Sequence, residues 1–105
     1  MIKQHILVTV DNIVFTITEG SLQILLIKRL IDPFKGEWAL PGGFMLKNET
    51  LQEAAYRELA EETSIKNVYL EQLYTFSEVQ RDPRGRTISC AYMALIAREN
   101  MALKA

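Results

Sequence analysis

The feature that most constrains this chain is a segment, residues 51–62, that reads as an amphipathic helix. Thr50 and Glu53 have the form of a capping box, a hydroxyl N-cap with Glu three positions on, which predicts a helix start. The segment holds mostly strong helix formers and contains no Gly or Pro. At about 100° per residue its apolar positions form one stripe that should face the protein body. The stripe consists of Leu51, Ala54, Ala55 and Leu59.

Acidic residues continue this stripe at the end of the predicted helix. Glu58 and Glu62 occupy its next turn, and Glu61 lies at its edge. Negative charge at a helix C-terminus is disfavoured by roughly several tenths of a kcal/mol per residue. Three like charges on the inward side of a helix favour a cation between them, which suggests a divalent metal and phosphate chemistry. A solvated acidic helix end is the alternative, but its glutamates should lie opposite the apolar stripe.

Two further predictions concern the neighbours of this cluster. Glu53 should face outward, four residues before Arg57, and form a surface ion pair with it. Pro41-Gly42-Gly43 precedes the helix, and its two glycines permit close backbone approach to a ligand or a metal. A plain hairpin turn is compatible with that role.

The pattern Gly43-x5-Glu49-x7-Arg57-Glu58-Leu59-x-Glu61-Glu62-x-Ser64-Ile65 resembles the Nudix box of the Nudix hydrolase superfamily. The resemblance implies a Mg²⁺ or Mn²⁺ site and hydrolysis of a nucleoside diphosphate linked to another group. It implies an ion pair between Glu49 and Arg57 that holds the loop against the helix, with Gly43 as a structural position of the box. The metal ligands and catalytic residues that it implies are Glu58, Glu61 and Glu62, joined by the Gly42 carbonyl as a further metal ligand.

Ser64 is the one departure from the family pattern, which has Gly at this position. A residue in the left-handed conformation commonly ends a helix, and Gly adopts that conformation most easily. Either serine adopts it at a cost of roughly 1–2 kcal/mol, or the helix ends differently. The departure therefore affects the helix end and removes no ligand.

The loop 81–86 contains three arginines, Arg81, Arg84 and Arg86. Arginine presents a planar donor fork matched to phosphate, although spacing alone fits a solvated basic turn equally well. The loop and the segment 36–44 are similar to a Nudix subgroup of ADP-ribose pyrophosphatases and related regulators of NAD metabolism. This resemblance implies substrate contacts by these arginines and by Arg29. It also implies an additional acidic residue from a later loop, for which the candidates are Glu78 and Asp82.

Composition indicates one small domain with ordinary globular values. The chain has 105 residues and a formal net charge of −1, so no basic field argues for binding to nucleic acid. One cysteine, Cys90, excludes a disulfide framework and favours a reducing, cytoplasmic location. His5 is the only histidine, which argues against a Ser-His-acid triad. No apolar run approaches the roughly 20 residues of a membrane span.

The predicted fold is α/β (α+β), a Nudix-like mixed sheet with the box helix packed on it. Strands are expected at 5–17, 22–29, 38–40, 68–77 and 87–97, with the second antiparallel to the first. The resemblance implies further sheet and a second helix after Ala97. We therefore expect residues 1–105 to form a single Nudix-like domain truncated at its C-terminus, without the winged helix-turn-helix domain of the related regulators.

Three functions are consistent with this sequence. The first is a metal-dependent hydrolase that converts ADP-ribose, a small-molecule nucleoside diphosphate substrate, to AMP and ribose 5-phosphate. The second is a non-catalytic ADP-ribose-sensing domain of a transcriptional regulator whose DNA-binding domain lies outside this chain. A general enzyme for damaged nucleoside triphosphates fits the box but explains the 81–86 loop less well. The family resemblance also implies a homodimer.

Overall fold

The computed structural model describes residues 4–32 and 34–97. A long first strand crosses the centre of a five-stranded mixed sheet, and one helix packs on that sheet. A second, two-stranded sheet lies beside it. The elements in chain order are β1 Leu7–Thr18, β2 Ser21–Ile24, β3 Ile27–Lys28, β4 Trp38–Ala39, β5 Gly42–Phe44, α1 Leu51–Thr63, β6 Glu71–Phe76 and β7 Thr87–Leu95.

The order of the main sheet is β2-β1-β7-β6, with β5 paired to the first half of β1. Strands β2 and β5 run antiparallel to β1, whereas β7 runs parallel to it over nine residue pairs, from Leu7↔Thr87 to Phe15↔Leu95. Strand β6 is antiparallel to β7, with an irregularity between Gln72 and Tyr74. The mixed sheet with one packed helix confirms the predicted fold class.

The predicted strand at 22–29 is two strands in the structure. Strand β2 ends at Ile24, and the Leu25 N–H still donates to the Val14 carbonyl at 2.9 Å. The chain then leaves the main sheet, and β3 pairs with β4 instead. This exchange of partners cannot be read from an uninterrupted run of apolar residues, and it places Trp38 on a separate small hairpin.

Helix α1 packs on the sheet through the predicted apolar stripe. Ala54, Ala55 and Leu59 are fully buried, and they form one core cluster with Val10 and Val14 of β1. Burying a side chain such as that of Leu59 contributes roughly 1.5–3 kcal/mol. The contact is also specified by polar groups, because buried Asn12 of β1 donates from Nδ2 to the Ala55 carbonyl at 3.0 Å. No helix in the described part of the chain is long and apolar enough to cross a membrane.

Ser64 ends the helix in the left-handed conformation, with φ 66° and ψ 9°. Its N–H donates to the Ala60 carbonyl at 2.9 Å, so the helix closes as it would with Gly at this position. The chain accepts backbone strain here and keeps the helix-end geometry.

Replacing Ser64 with Gly should therefore stabilise the protein. We expect Ser64→Gly to raise the free energy of unfolding by about 1 kcal/mol, because Gly adopts positive φ without the Cβ conflict. Urea denaturation followed by circular dichroism measures this change. Ser21→Gly is the matched control, since Ser21 lies exposed in β2 and has no positive φ. The control should lose stability, and a loss in Ser64→Gly as well would contradict the assignment of strain.

Candidate active site

The two glycines before the helix lie in a strand, β5, and not in a plain hairpin turn. Gly42 is opposite Asp11 of β1, and a Cβ added to it would lie 2.1 Å from the Val10 carbonyl oxygen. A Cβ on Gly43 would lie 2.8 Å from the carboxyl carbon of Glu58. At both positions a neighbouring group lies too close to leave room for a side chain, which explains the two glycines. At Gly42 the close neighbour is backbone, whereas at Gly43 it is an acidic side chain of the helix.

The peptide groups of Gly42 point away from β1. The Asn12 N–H donates to the Pro41 carbonyl at 2.8 Å and the Met45 N–H to the Val8 carbonyl at 2.9 Å, which makes Gly42 a non-hydrogen-bonded partner in the ladder. Its N–H donates instead to Oε1 of Glu62 at 2.7 Å. In an extended strand the carbonyl of the same residue is directed to the same side. The Gly42 oxygen therefore faces the end of α1.

Arg57 ties β5, the following loop and the helix together. Its Nε and Nη2 donate to the two carboxylate oxygens of Glu49 at 2.9 and 2.7 Å, the bidentate geometry of a strong ion pair. Nη2 also donates to the Phe44 carbonyl at 3.0 Å. Glu49 additionally accepts the Leu46 N–H at 2.8 Å. The expected Glu49–Arg57 pair is present, and these hydrogen bonds lower the pKa of Glu49.

The predicted ion pair between Glu53 and Arg57 is wrong. The Glu53 carboxylate accepts the Thr50 N–H at 2.8 Å, and the Glu53 N–H donates to the Thr50 hydroxyl at 3.1 Å. Glu53 thus closes the predicted capping box, and the guanidinium of Arg57 contacts Glu49 and Glu58 instead. An outward-facing Glu53 can pair either with Arg57 or with the backbone of Thr50, so the spacing alone did not distinguish these two partners.

The three glutamates at the end of α1 differ in exposure. The Glu58 side chain is 15% exposed, and its Oε1 lies 2.7 Å from Nη1 of Arg57. Glu61 is 61% exposed and reaches the same nitrogen at 3.3 Å. Among the residues that the structure describes, no three His, Cys, Asp or Glu side chains form a ready-made cation site. Arg57 contacts Glu58 and Glu61, and the Gly42 N–H contacts Glu62, so a cation shared by all three would require these side chains to turn.

Glu62 has the most perturbed carboxyl of this cluster. The pKa of Glu62 is raised to about 7, first by burial and then by the charge and hydrogen bond of neighbouring Glu58. The hydrogen bond from the Gly42 N–H and the charge of Arg29 oppose this rise. A carboxylate that is half-buried and repelled by a second one is stabilised by a nearby cation. The donor set of carboxylates and one backbone carbonyl is the hard-oxygen set that Mg²⁺ binds. These residues therefore fit a divalent cation.

The raised pKa of Glu62 predicts how the stability of the metal-free protein depends on pH. The pKa of Glu62 lies above its value of 4.5 in the unfolded chain, so its contribution to stability is complete below about 4.5 and is lost as pH rises through about 7. The Glu62→Gln variant removes this loss. After solvent screening of a half-buried group, we expect the variant to gain about 1 kcal/mol relative to the parent between pH 4.5 and pH 8. Urea titrations in a chelator at both pH values measure the difference, and a pH-independent difference would contradict it.

The 81–86 loop reaches β5. Arg84 donates to both carboxylate oxygens of Asp82 at 2.9 and 2.6 Å, and its guanidinium carbon lies 4.6 Å from the centre of the Phe44 ring. This pairing lowers the pKa of Asp82 to about 2. Arg81 donates from Nη2 to the Ser89 hydroxyl. Arg84 therefore lies against β5 and Arg81 against β7, and both are near enough to Asp11, opposite Gly42, for their charges to act on it.

The other predicted site residues are more scattered. Arg86 donates to the Ser77 carbonyl at 2.9 Å and holds the two ends of its loop together. The Glu78 carboxylate accepts the Ser77 N–H at 3.1 Å and is exposed. Arg29 lies close enough to Glu62 for its charge to act on that carboxylate. Thus the structure brings Arg29, Arg81 and Arg84 toward the glycine strand or the helix end, and it turns Arg86 and Glu78 to local backbone partners.

Asp11 is a candidate that sequence reasoning missed. It lies opposite Gly42, and its Oδ1 is 3.1 Å from the Cβ position of that glycine. Burial raises the pKa of Asp11, while the charges of Arg81 and Arg84 oppose this shift. Asp11 therefore connects the glycine strand to the arginine loop. The available signal was a single carboxylate inside a Val- and Ile-rich strand.

A cleft of about 220 Å³ opens beside Glu62. Its lining comprises Glu62 and Thr63 of α1, the segment 25–27, and Lys28 and Trp38 of the small β3–β4 sheet. The cleft connects the half-buried end of the acidic helix with solvent.

Comparison with known proteins gives a consistent result. The sequence matches the profile of the NUDIX domain over residues 8–104. It is 46% identical over 92 residues to an ADPR responsive transcriptional repressor of Acinetobacter baylyi, a match that covers 86% of this chain and 37% of the repressor. It is 45% identical over 89 residues to an ADP-ribose pyrophosphatase of Methanocaldococcus jannaschii, covering 85% of this chain and 50% of that enzyme.

The fold agrees with a solved structure of the same kind. The NUDIX domain of Shewanella oneidensis NrtR complexed with ADP ribose superposes with a TM-score of 0.84 at 39% identity, covering 90% of this chain and 63% of that chain. The present chain thus spans half or less of the length of the two curated relatives that it matches.

Proposed function

The chain belongs to the Nudix family, and we propose that it is a divalent-metal-dependent hydrolase that cleaves the diphosphate of ADP-ribose to AMP and ribose 5-phosphate. The observation that carries this proposal is the half-buried carboxylate pair Glu58 and Glu62 beside the outward-facing peptide of Gly42. Similarity to the pyrophosphatase of M. jannaschii supports the substrate.

Each protein group has a part in this proposal. Glu58, Glu61, Glu62 and the Gly42 carbonyl would hold Mg²⁺ or Mn²⁺, which supplies charge neutralisation and a more acidic water. Because Nη1 of Arg57 already contacts Glu58 and Glu61, it orients both carboxylates from the same helix. Arg81 and Arg84 lie near Asp11, opposite Gly42, and offer planar donors to phosphate oxygens. Because burial raises the pKa of Glu62 to about 7, a cation bound beside this carboxyl would compete with a proton near neutral pH.

The direct experiment is incubation with ADP-ribose and Mg²⁺, with AMP followed by chromatography. We expect AMP and ribose 5-phosphate in equal amounts and no product in the presence of a chelator. Absence of AMP together with unchanged ADP-ribose would contradict the hydrolase.

A second function has specific support. Similarity to the ADPR responsive repressor and to the ADP-ribose complex of NrtR favours a domain that binds ADP-ribose without cleaving it. Saturable binding of ADP-ribose with no AMP release identifies that function. The DNA-binding part of such a regulator would lie outside this chain, which has no basic field of its own.

We also propose a cytoplasmic location and a homodimer. The single free cysteine, Cys90, is buried, consistent with a reducing compartment. Exposed apolar side chains on the outer strands, Leu22 at 64% and Tyr74 at 60%, offer surface for a second copy. Analytical ultracentrifugation distinguishes a dimer from a monomer.

A further inference from the structure

Trp38 lies on the surface of the cleft beside Glu62 and is the only tryptophan of the chain. It is 66% exposed, although tryptophan is on average a highly buried residue. It belongs to the small β3–β4 sheet, outside the main core cluster. Its indole thus offers a flat apolar face to solvent in a cleft that adjoins the carboxylate pair.

Lys28 shares that face of the hairpin. It is directly opposite Trp38 in the antiparallel register. The Arg29 N–H donates to the Glu37 carbonyl at 2.9 Å, so the Lys28–Trp38 pair is the adjacent non-hydrogen-bonded pair. Side chains in such pairs are the closest in an antiparallel ladder, with Cβ atoms about 4.5–5.5 Å apart. A flat aromatic surface and a positive charge therefore stand next to each other.

The size of the cleft restricts what it can bind. Sites for a drug-sized ligand measure about 300–1,000 Å³, whereas this cleft measures about 220 Å³. It can enclose one ring system and not a complete nucleoside diphosphate sugar. A sugar would require several hydrogen-bonding groups, but Leu25, Leu26 and Ile27 also line the cleft and supply apolar surface. A planar heteroaromatic ring satisfies these conditions better than a ribose.

We propose that this cleft binds the purine base of the nucleotide, with Trp38 as its stacking surface and Lys28 as the contact for the adjoining phosphate. This inference rests on the proposed function, because it names the subsite for one half of that substrate. With the base against Trp38, the diphosphate extends past Lys28 toward Glu62 and Gly42. The site would therefore select nucleoside diphosphates over sugar diphosphates that carry no base.

The single tryptophan allows a direct binding test that needs no turnover. Emission of Trp38 is recorded while AMP or ribose 5-phosphate is added, with N-acetyltryptophanamide as the control for light absorption by the nucleotide. We expect saturable quenching by AMP and no saturable change with ribose 5-phosphate. Lys28→Gln should weaken AMP binding several-fold. An AMP titration that leaves the emission of Trp38 unchanged overturns the proposal.

Kinetics on variants provide the second test. Trp38→Leu should raise KM for ADP-ribose about 10-fold with kcat within about twofold, since stacking on one base contributes to binding and not to bond cleavage. Trp38→Phe should keep most of the affinity. Tyr69→Leu is the matched control, because Tyr69 is 73% exposed and does not line the cleft. An unchanged KM in Trp38→Leu contradicts the inference.

The two tests separate this inference from the proposed function. Quenching by AMP without turnover of ADP-ribose supports the base subsite and rejects the hydrolase. Turnover with no quenching and no change of KM in Trp38→Leu supports the hydrolase and rejects the subsite.

Discussion

Replacing Glu58 or Glu62 with glutamine is expected to reduce kcat for ADP-ribose hydrolysis by roughly 10³-fold, which corresponds to about 4 kcal/mol of transition-state stabilisation. Glutamine keeps the shape of each side chain but removes a charged oxygen ligand. In Glu62→Gln the new side-chain carbonyl can still accept the Gly42 N–H, so the protein should remain folded. Turnover is measured as AMP release at saturating Mg²⁺, together with the thermal midpoint of each variant.

Glu53 provides the matched control, and Glu61 provides a graded comparison within the proposed site. Glu61 is 61% exposed and only weakly held by Arg57, so we expect a smaller loss of kcat, about 10-fold. Glu53 closes the capping box and lies away from the site, and Gln also fits a capping box, so Glu53→Gln should keep kcat within about twofold with little change in stability. Equal activity of Glu58→Gln and Glu53→Gln would contradict the proposed role of the helix end.

Replacing Gly42 with Ala should cause the largest loss of stability among the substitutions considered. The new methyl group would lie 2.1 Å from the Val10 carbonyl oxygen, and both atoms belong to paired backbone segments that cannot move independently. We expect a loss of about 3 kcal/mol or more, a substantial part of the roughly 5–15 kcal/mol that stabilises a small domain. Chemical denaturation measures the loss.

Gly43→Ala is the informative comparison, because its methyl group would meet a side chain. The contact is 2.8 Å from the Glu58 carboxyl carbon, and that carboxylate can rotate away. We expect a stability loss of only about 1 kcal/mol but a decrease in kcat of about 100-fold, because Glu58 would leave its position near Arg57. Similar losses of stability in both variants would contradict the distinction between the two glycines.

The sequence predicted those parts of the structure that depend on local pattern. The start of α1, its apolar stripe and the inward position of Glu58 follow from capping chemistry and a 3.6-residue period. The Glu49–Arg57 pair came from the family pattern, and the structure contains it. Of the two helix ends that the sequence left open at Ser64, the structure has the left-handed one.

The parts that could not be predicted depend on non-local pairing. Gly42–Phe44 is a strand because β1 pairs with it, although glycine disfavours strands on propensity alone. The division of the 22–29 strand depends on β4 as a competing partner. Asp11 lies in the candidate site because β1 pairs with β5, and the sequence of β1 alone does not reveal that pairing.

Direct binding of Mn²⁺ tests the central claim most closely, because it examines the carboxylates at the end of α1 without requiring catalysis. Mn²⁺ is titrated into the parent chain, Glu58→Gln, Glu62→Gln and Glu53→Gln, and free Mn²⁺ is measured by electron paramagnetic resonance. We predict saturable binding by the parent and Glu53→Gln, and at least roughly 10-fold weaker binding by the other two variants. Equal binding by all four proteins would contradict the assignment of these glutamates as the metal site.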